Sequence, residues 1–151
     1  MTGFHTTGAA LRAAFEGTAY GPPGERFYLG QHDAGWAPPW AAGSRSWAIV
    51  TAWNPHGLRH PDSHNAEAAR RLLVAWASPS FPVVNGEEPW AEEALLLPGA
   101  CLRDAVTLGR RFRQAAIVFG VGRRTALVWL DGDLHLTRAW AIPALPYTGS
   151  S

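Results

Sequence analysis

The sequence predicts an α+β fold: a single domain over residues 1–151, with a mostly antiparallel sheet and about three helices. Three observations carry that expectation. Apolar, β-branched runs come in groups, set between isolated stretches of helical periodicity. Two of the C-terminal runs read as a hairpin joined near Gly122-Arg123, and a last run follows the Asp131-Gly132-Asp133 turn. No internal repeat or separate linker interrupts the 151 residues, a length that buries a real core.

Along the chain, residues 7–17 read as a short helix. Thr7 is placed to cap it, Leu11, Ala14 and Phe15 supply an apolar face, and Gly17 ends it. "ERFYLG" (25–30) reads as a first strand. Residues 30–45 are rich in Gly, Pro and Ala and read as a long loop, packed down by Trp36 and Trp40 around a proline pair. "SWAIVTAW" (46–53) is the clearest strand, an apolar run bounded by turn signals. A helix is expected over 64–77, with Ala69, Leu72, Leu73 and Trp76 inward and Arg70 and Arg71 outward, stopped by Pro79. "FPVV" (81–84) and 92–99 read as strands on either side of an "NGEEPW" turn. Residues 101–112 are helix-like, with Leu102, Ala105, Leu108 and Phe112 on one side. Residues 115–122, 124–132 and 134–142 complete the strands, and the tail "PALPYTGSS" is expected to be loose at its end.

Composition narrows the function classes. Hydrophobic residues make up 47% and charged residues 17%, a globular balance. No apolar run reaches the roughly 18 residues of a membrane span, and the N-terminus lacks the pattern of a signal peptide. With one cysteine, Cys101, neither an internal disulfide nor a cysteine metal cluster is available, so a cytoplasmic protein is expected. All thirteen basic residues are arginine, yet the net charge is only +1, which gives no global attraction for nucleic acid. The eight tryptophans suit a core better than an array of stacking platforms.

Four short patterns occur in a fixed order: Thr51-Ala52-Trp53-Asn54-Pro55 at a strand end, Asn65 opening a helix, Trp90-Ala91-Glu92 before a strand, and Phe112-Arg113-Gln114-Ala115-Ala116 after a helix. In that order they resemble a small bacterial and phage family known only as a domain of unknown function, over roughly residues 45–130. The chain departs from the family's pattern at Ala94, where a hydroxyl residue is expected. The resemblance implies a cytoplasmic domain of this size and brings no activity with it.

The richest candidate site is the strand-to-helix turn 51–65. Asn54 precedes a proline, which favours extended geometry and leaves its amide free for neighbouring backbone. Asn65 lies in the first helical turn, where N–H groups can receive a polar ligand. Gln114 sits between an arginine-rich helix end and a strand, where a buried amide must find partners. Three amides gathered in one hollow suit the reading of a base, a peptide bond or a carboxamide. His56, His60 and His64 recur every four residues, but Gly57 and Pro61 forbid the continuous helix that would stack them as ligands, so no metal or other cofactor is expected. Among Glu87, Glu88, Glu92 and Glu93, Glu92 is the best acid–base candidate, from its place in the W-x-E pattern. Cys101 has no positioned partner in sequence and reads as an inert thiol.

Arg110, Arg111, Arg113, Arg123 and Arg124 make the C-terminal half locally basic, as a solvated face or a phosphate-contacting patch. Nucleotide-hydrolase, dinucleotide-binding, serine-hydrolase and zinc-protease motifs are all missing. Three readings stay open. The first is a non-enzymatic binding module, with Asn54, Asn65 and Gln114 forming a polar pocket and the arginine patch engaging nucleic acid or an acidic protein. The second is a small hydrolase or transferase with Glu92 or His56 as base. The third is a self-associating structural protein that buries its tryptophans in an oligomer. None involves a membrane.

Overall fold

The computed structural model describes residues 13–144. Seven strands, β1 (Phe27–Gly30), β2 (Ser46–Thr51), β3 (Phe81–Asn85), β4 (Glu92–Pro98), β5 (Ala116–Val121), β6 (Arg124–Trp129) and β7 (His135–Pro143), form one sheet in the order β1-β7-β6-β5-β2-β4-β3. Every neighbouring pair is antiparallel. Among the described residues the sheet is accompanied by helices α1 (Asp62–Ala75) and α2 (Leu102–Arg111), with 3-10 segments at Pro39–Ser44 and Pro55–Gly57.

The expected fold class is thereby corrected. In place of an α+β arrangement of about three helices with a mostly antiparallel sheet, the chain forms a seven-stranded, wholly antiparallel half-barrel sheet carrying small helices. The physical reason lies in the connections. The β5–β6 loop is two residues long, and β2 pairs with both β4 and β5, so strands far apart in sequence close into one continuous ladder. The first expected helix, at 7–17, falls largely outside the described residues; of it, residues 13–16 are helical. The end of the tail also lies outside them.

The centre of the sheet is buried on both faces, which explains why β2 reads as a continuous apolar run. Ala48 and Val50 point to one face and Trp47 and Ile49 to the other, and all four are buried. On the first face α1 and α2 pack Ala68, Leu72, Ala105, Val106, Leu108 and Phe112 against Val50, Leu95, Leu97, Ile117 and Val128. Gly109 permits the close approach of α2, since a Cβ there would lie 2.7 Å from Leu130 Cδ1 and 2.8 Å from Ile117 Cγ2. The opposite face carries an aromatic core of Tyr20, Phe27, Trp47 and Trp129, with Trp36 and Trp40 of the long loop packed onto it. Phe27 and Trp40 both meet the Trp47 ring edge-on, at centroid distances of 5.5 and 5.9 Å.

The inward face of α1 differs from the expected one. Asn65, Ala68 and Leu72 are buried, whereas Leu73 is 54% exposed. A buried asparagine has displaced the apolar stripe, because its partners lie under the helix at the end of β2.

Candidate functional site

After Thr51 the chain leaves the sheet through Ala52, Trp53 and Asn54. The Thr51 hydroxyl donates to Glu93 O at 2.6 Å and accepts the Trp53 N–H at 3.0 Å, which ties the end of β2 to β4. Asn54 then adopts left-handed backbone, φ 48° and ψ 63°, and not the extended geometry expected before proline. Asparagine tolerates this region better than most residues, and its amide is fixed from several sides. Asn54 Nδ2 donates to Glu92 Oε2 at 2.7 Å. Its Oδ1 accepts from the His60 N–H at 2.9 Å and from Asn65 Nδ2 at 3.0 Å.

Asn65 completes a reciprocal pair. Its Oδ1 accepts the Asn54 N–H at 2.9 Å and its Nδ2 also donates to His60 O at 3.3 Å. The backbone N–H of Asn65 is already bonded to Pro61 O. The two asparagines therefore lock a 3-10 turn onto a helix start and hold Glu92 from one side. Gln114 does not join them. Its Nε2 donates to Trp53 O at 3.1 Å and Phe112 O at 3.3 Å, bridging the end of α2 to the same turn from behind.

Glu92 opens β4 on the same face as Ala94 and Leu96 and stands opposite Asn85 across the β3–β4 pair. Burial pushes its carboxyl above the ordinary range, and the hydrogen bond from Asn54 only partly opposes that rise. Two hollows meet at this residue. One, about 220 Å³, has an apolar floor that includes Phe15, Ile49 and Val118 and polar walls that include Asn54, Asn85, Glu92 and Gln114. The other, about 250 Å³, is lined by Asn54, His60, Asn65 and Glu92 among others. Asn54, Glu92 and Gln114 thus share one cavity, Asn54, Asn65 and Glu92 share the next, and Asn65 and Gln114 share neither.

Several residues missed in the sequence belong here. Trp53 and Trp90 line both hollows, and Trp90 is 72% exposed at their mouth with the Arg59 guanidinium 5.6 Å from its ring centre. Tyr20 lines the first cavity and donates to Phe15 O at 2.9 Å; burial raises its phenol far above the ordinary value. The one sequence signal for Asn85 is the Asn85-Gly86 turn, which sets the register that puts Asn85 across from Glu92.

Of the other candidates only His60 and Glu88 line a hollow, the second one. His56 is exposed and lines neither hollow, and its N–H is bonded to Arg113 O. The His60 and His64 rings are 6.5 Å apart, and among the described residues no group of three His, Cys, Asp or Glu could hold a metal ion. Glu87, Glu88 and Glu93 are exposed. Cys101 is exposed too and accepts the Asp104 N–H at 3.4 Å, as the cap of α2.

The arginines do not form one patch. Arg110, Arg111 and Arg113 sit at the end of α2, before β5, whereas Arg123 and Arg124 sit after it. The five steps of β5, at about 3.3 Å each, put roughly 17 Å between the groups. Arg110 bonds Leu130 O and Gly132 O, and Arg123 pairs with Asp33 at 2.9 Å. Among the described residues no helix is long and apolar enough to cross a membrane.

Apart from Val118, the residues that line the two hollows from the β2 end onward fall within one family match. Residues 50–117 fit the family model described as "Protein of unknown function (DUF3293)", so the central part of the chain is similar to that family. That match contains Asn54, Asn65, Glu92 and Gln114. No curated protein and no solved structure gives a match to the chain.

Proposed function

We propose that the protein is a binding module whose ligand enters the cavity walled by Asn54, Glu92 and Gln114. The single observation that carries this reading is Glu92, a carboxyl with a raised pKa at the wall of an apolar-floored cavity, held by a network that fixes its direction. Structural carboxylates usually gain cations or several donors; here a single amide donor is the partner, and the remaining acceptor capacity suits a ligand N–H or cation. The floor of Phe15, Ile49 and Val118 suits a small flat or apolar body attached to that group. Such a ligand would lower the Glu92 pKa on binding and stabilise the fold by mass action.

Benzamidine, benzamide and benzoate share one ring and differ in the charge presented to Glu92. Followed by NMR of the Trp53 and Trp90 indole N–H signals, the expected order of affinity is benzamidine, then benzamide, then benzoate, with the preference lost in Glu92→Gln. Benzoate binding best, or an order unchanged by Glu92→Gln, would falsify the reading.

The same raised carboxyl favours a second reading, in which Glu92 is the general acid or base of a small hydrolase. Hydrolysis of p-nitrophenyl acetate above background, lost in Glu92→Gln and kept in His56→Ala, would select it over simple binding.

A further inference from the structure

At the opposite end of β5 the first face of the sheet emerges from under the helices. The cross-strand rows there are Val121–Arg124–Trp140 and Phe119–Ala126–Arg138, followed by Val128–Leu136. Alternation puts all of these side chains on the face that α1 and α2 cover farther along. The helices reach Ile117 and Val128, and Phe119 packs at their margin, but Val121 is 45% and Leu136 42% exposed. A groove of about 450 Å³ results, lined chiefly by Phe119, Val121, Arg124, Leu136, Arg138 and Trp140.

We propose that this groove binds single-stranded nucleic acid. Charge is the first support. No carboxylate lines the groove, and among the described residues neither Arg124 nor Arg138 has an ion-pair partner, whereas neighbouring Arg123 is neutralised by Asp33. Arg45 adds a further positive charge at the same corner, its carbonyl accepting the Gly122 N–H. Of the nearby acids, Asp33 also acts through its charge on Arg124, and Glu16 accepts a hydrogen bond from Gln31 at the groove's edge. Spacing is the second support. Arg124 and Arg138 are diagonal neighbours on adjacent strands, with Cβ atoms roughly 7–8 Å apart, so two successive phosphates of a flexible strand can be served together.

Aromatic surface is the third support. The Arg124 guanidinium lies 5.3 Å from the Trp140 ring centre and that of Arg123 5.9 Å, which keeps positive charge beside the ring. Trp140 and Phe119 then flank the phosphate-binding pair with surface on which bases stack, the combination by which open sheets hold unpaired strands. An acidic peptide would satisfy the arginines but has no use for the ring surface. The basic patch expected from sequence is therefore replaced by a different one, in which Arg138, 14 residues past Arg124, takes the place of the α2 arginines.

The test is fluorescence anisotropy with a labelled oligothymidylate of about twelve nucleotides at low and moderate salt. Saturable, salt-sensitive binding is expected. Arg124→Gln/Arg138→Gln should weaken it at least about tenfold and flatten the log–log salt slope by roughly 1.4, the value for two phosphates on a single strand. Trp140→Leu should weaken it severalfold while leaving the slope unchanged. Arg110→Gln/Arg111→Gln, at the far end of β5, should bind like the parent protein. Benzamidine should not displace the strand, so the outcome is independent of the cavity. The proposal is overturned if the parent protein does not bind, if the Arg124/Arg138 variant binds equally well, if the Arg110/Arg111 variant loses as much, or if poly-L-glutamate competes as strongly as unlabelled strand. Both double variants change exposed side chains, and thermal melts within a few degrees of the parent establish that they fold.

Discussion

The two ends of β5 handle polar side chains in opposite ways. At the Asn54 end, Asn54, Asn65 and Glu92 are wholly or partly buried and bonded to one another, so each side chain depends on the next. At the Arg124 end, Arg124 and Arg138 are exposed and reach toward solvent independently. The contrast teaches where effects should be large and coupled and where they should be small and additive. A buried network loses desolvated partners when one member is removed, whereas exposed charges act through screened, long-range attraction.

The largest effect is expected at Asn65. Asn65→Ala strips the Asn54 N–H, the Asn54 amide and His60 O of a partner at once, and should cost about 2–3 kcal/mol in urea denaturation. A loss below about 0.5 kcal/mol, the level of an ordinary surface change, would erase the distinction between the two ends. Next comes Asn54, where backbone and side chain can be separated. Asn54→Gly keeps left-handed backbone available and removes only the amide, for about 2 kcal/mol. Asn54→Ala should be worse by about a further 1 kcal/mol, because alanine resists that region. The Asn54→Gly/Asn65→Ala double variant should cost clearly less than the sum, and additive losses would contradict a coupled pair.

A smaller and pH-dependent effect belongs to Glu92. Its folded pKa is raised, so the folded state binds more protons than the unfolded state between the ordinary carboxylate value and the raised one. Stability attributable to Glu92 therefore falls as pH climbs through that window, and the full ionisation penalty is present above it. Glu92→Gln keeps an oxygen for Asn54 Nδ2 and cannot ionise. It should be more stable than the parent above the window and should flatten the stability–pH curve within it, as read by Tm across a pH series. The smallest effects are expected at the other end: Arg124→Gln and Arg138→Gln should each shift stability by less than about 0.5 kcal/mol, and additively.

How much of this was legible in sequence depends on the distance over which each contact acts. The strands were legible because Trp47–Thr51 and Leu95–Leu97 are apolar runs bounded by turn residues, and all seven observed strands overlap the expected ones to within a few residues. The fold class was not, because pairing of β2 with both β4 and β5 is a long-range fact that local periodicity does not carry. For α1, periodicity alone misled: counting apolar residues favours Leu73, while the polar Asn65 is the residue that goes inside. Of the site, Asn54, Asn65 and Glu92 were singled out by their positions at element ends, but their mutual bonds needed the turn at 54–57 to fold back. The split of the arginines was legible too, since the expected strand at 115–122 already separates Arg110, Arg111 and Arg113 from Arg123 and Arg124.

Everything proposed for the cavity rests on Glu92 being a desolvated carboxyl steered by Asn54. An NMR titration of the Glu92 side-chain carboxyl carbon reports that directly. A midpoint above the ordinary carboxylate range, sensed at the Asn54 side-chain amide and lowered by benzamidine, is the expected result. A midpoint at or below that range, with no response at Asn54, would contradict the account.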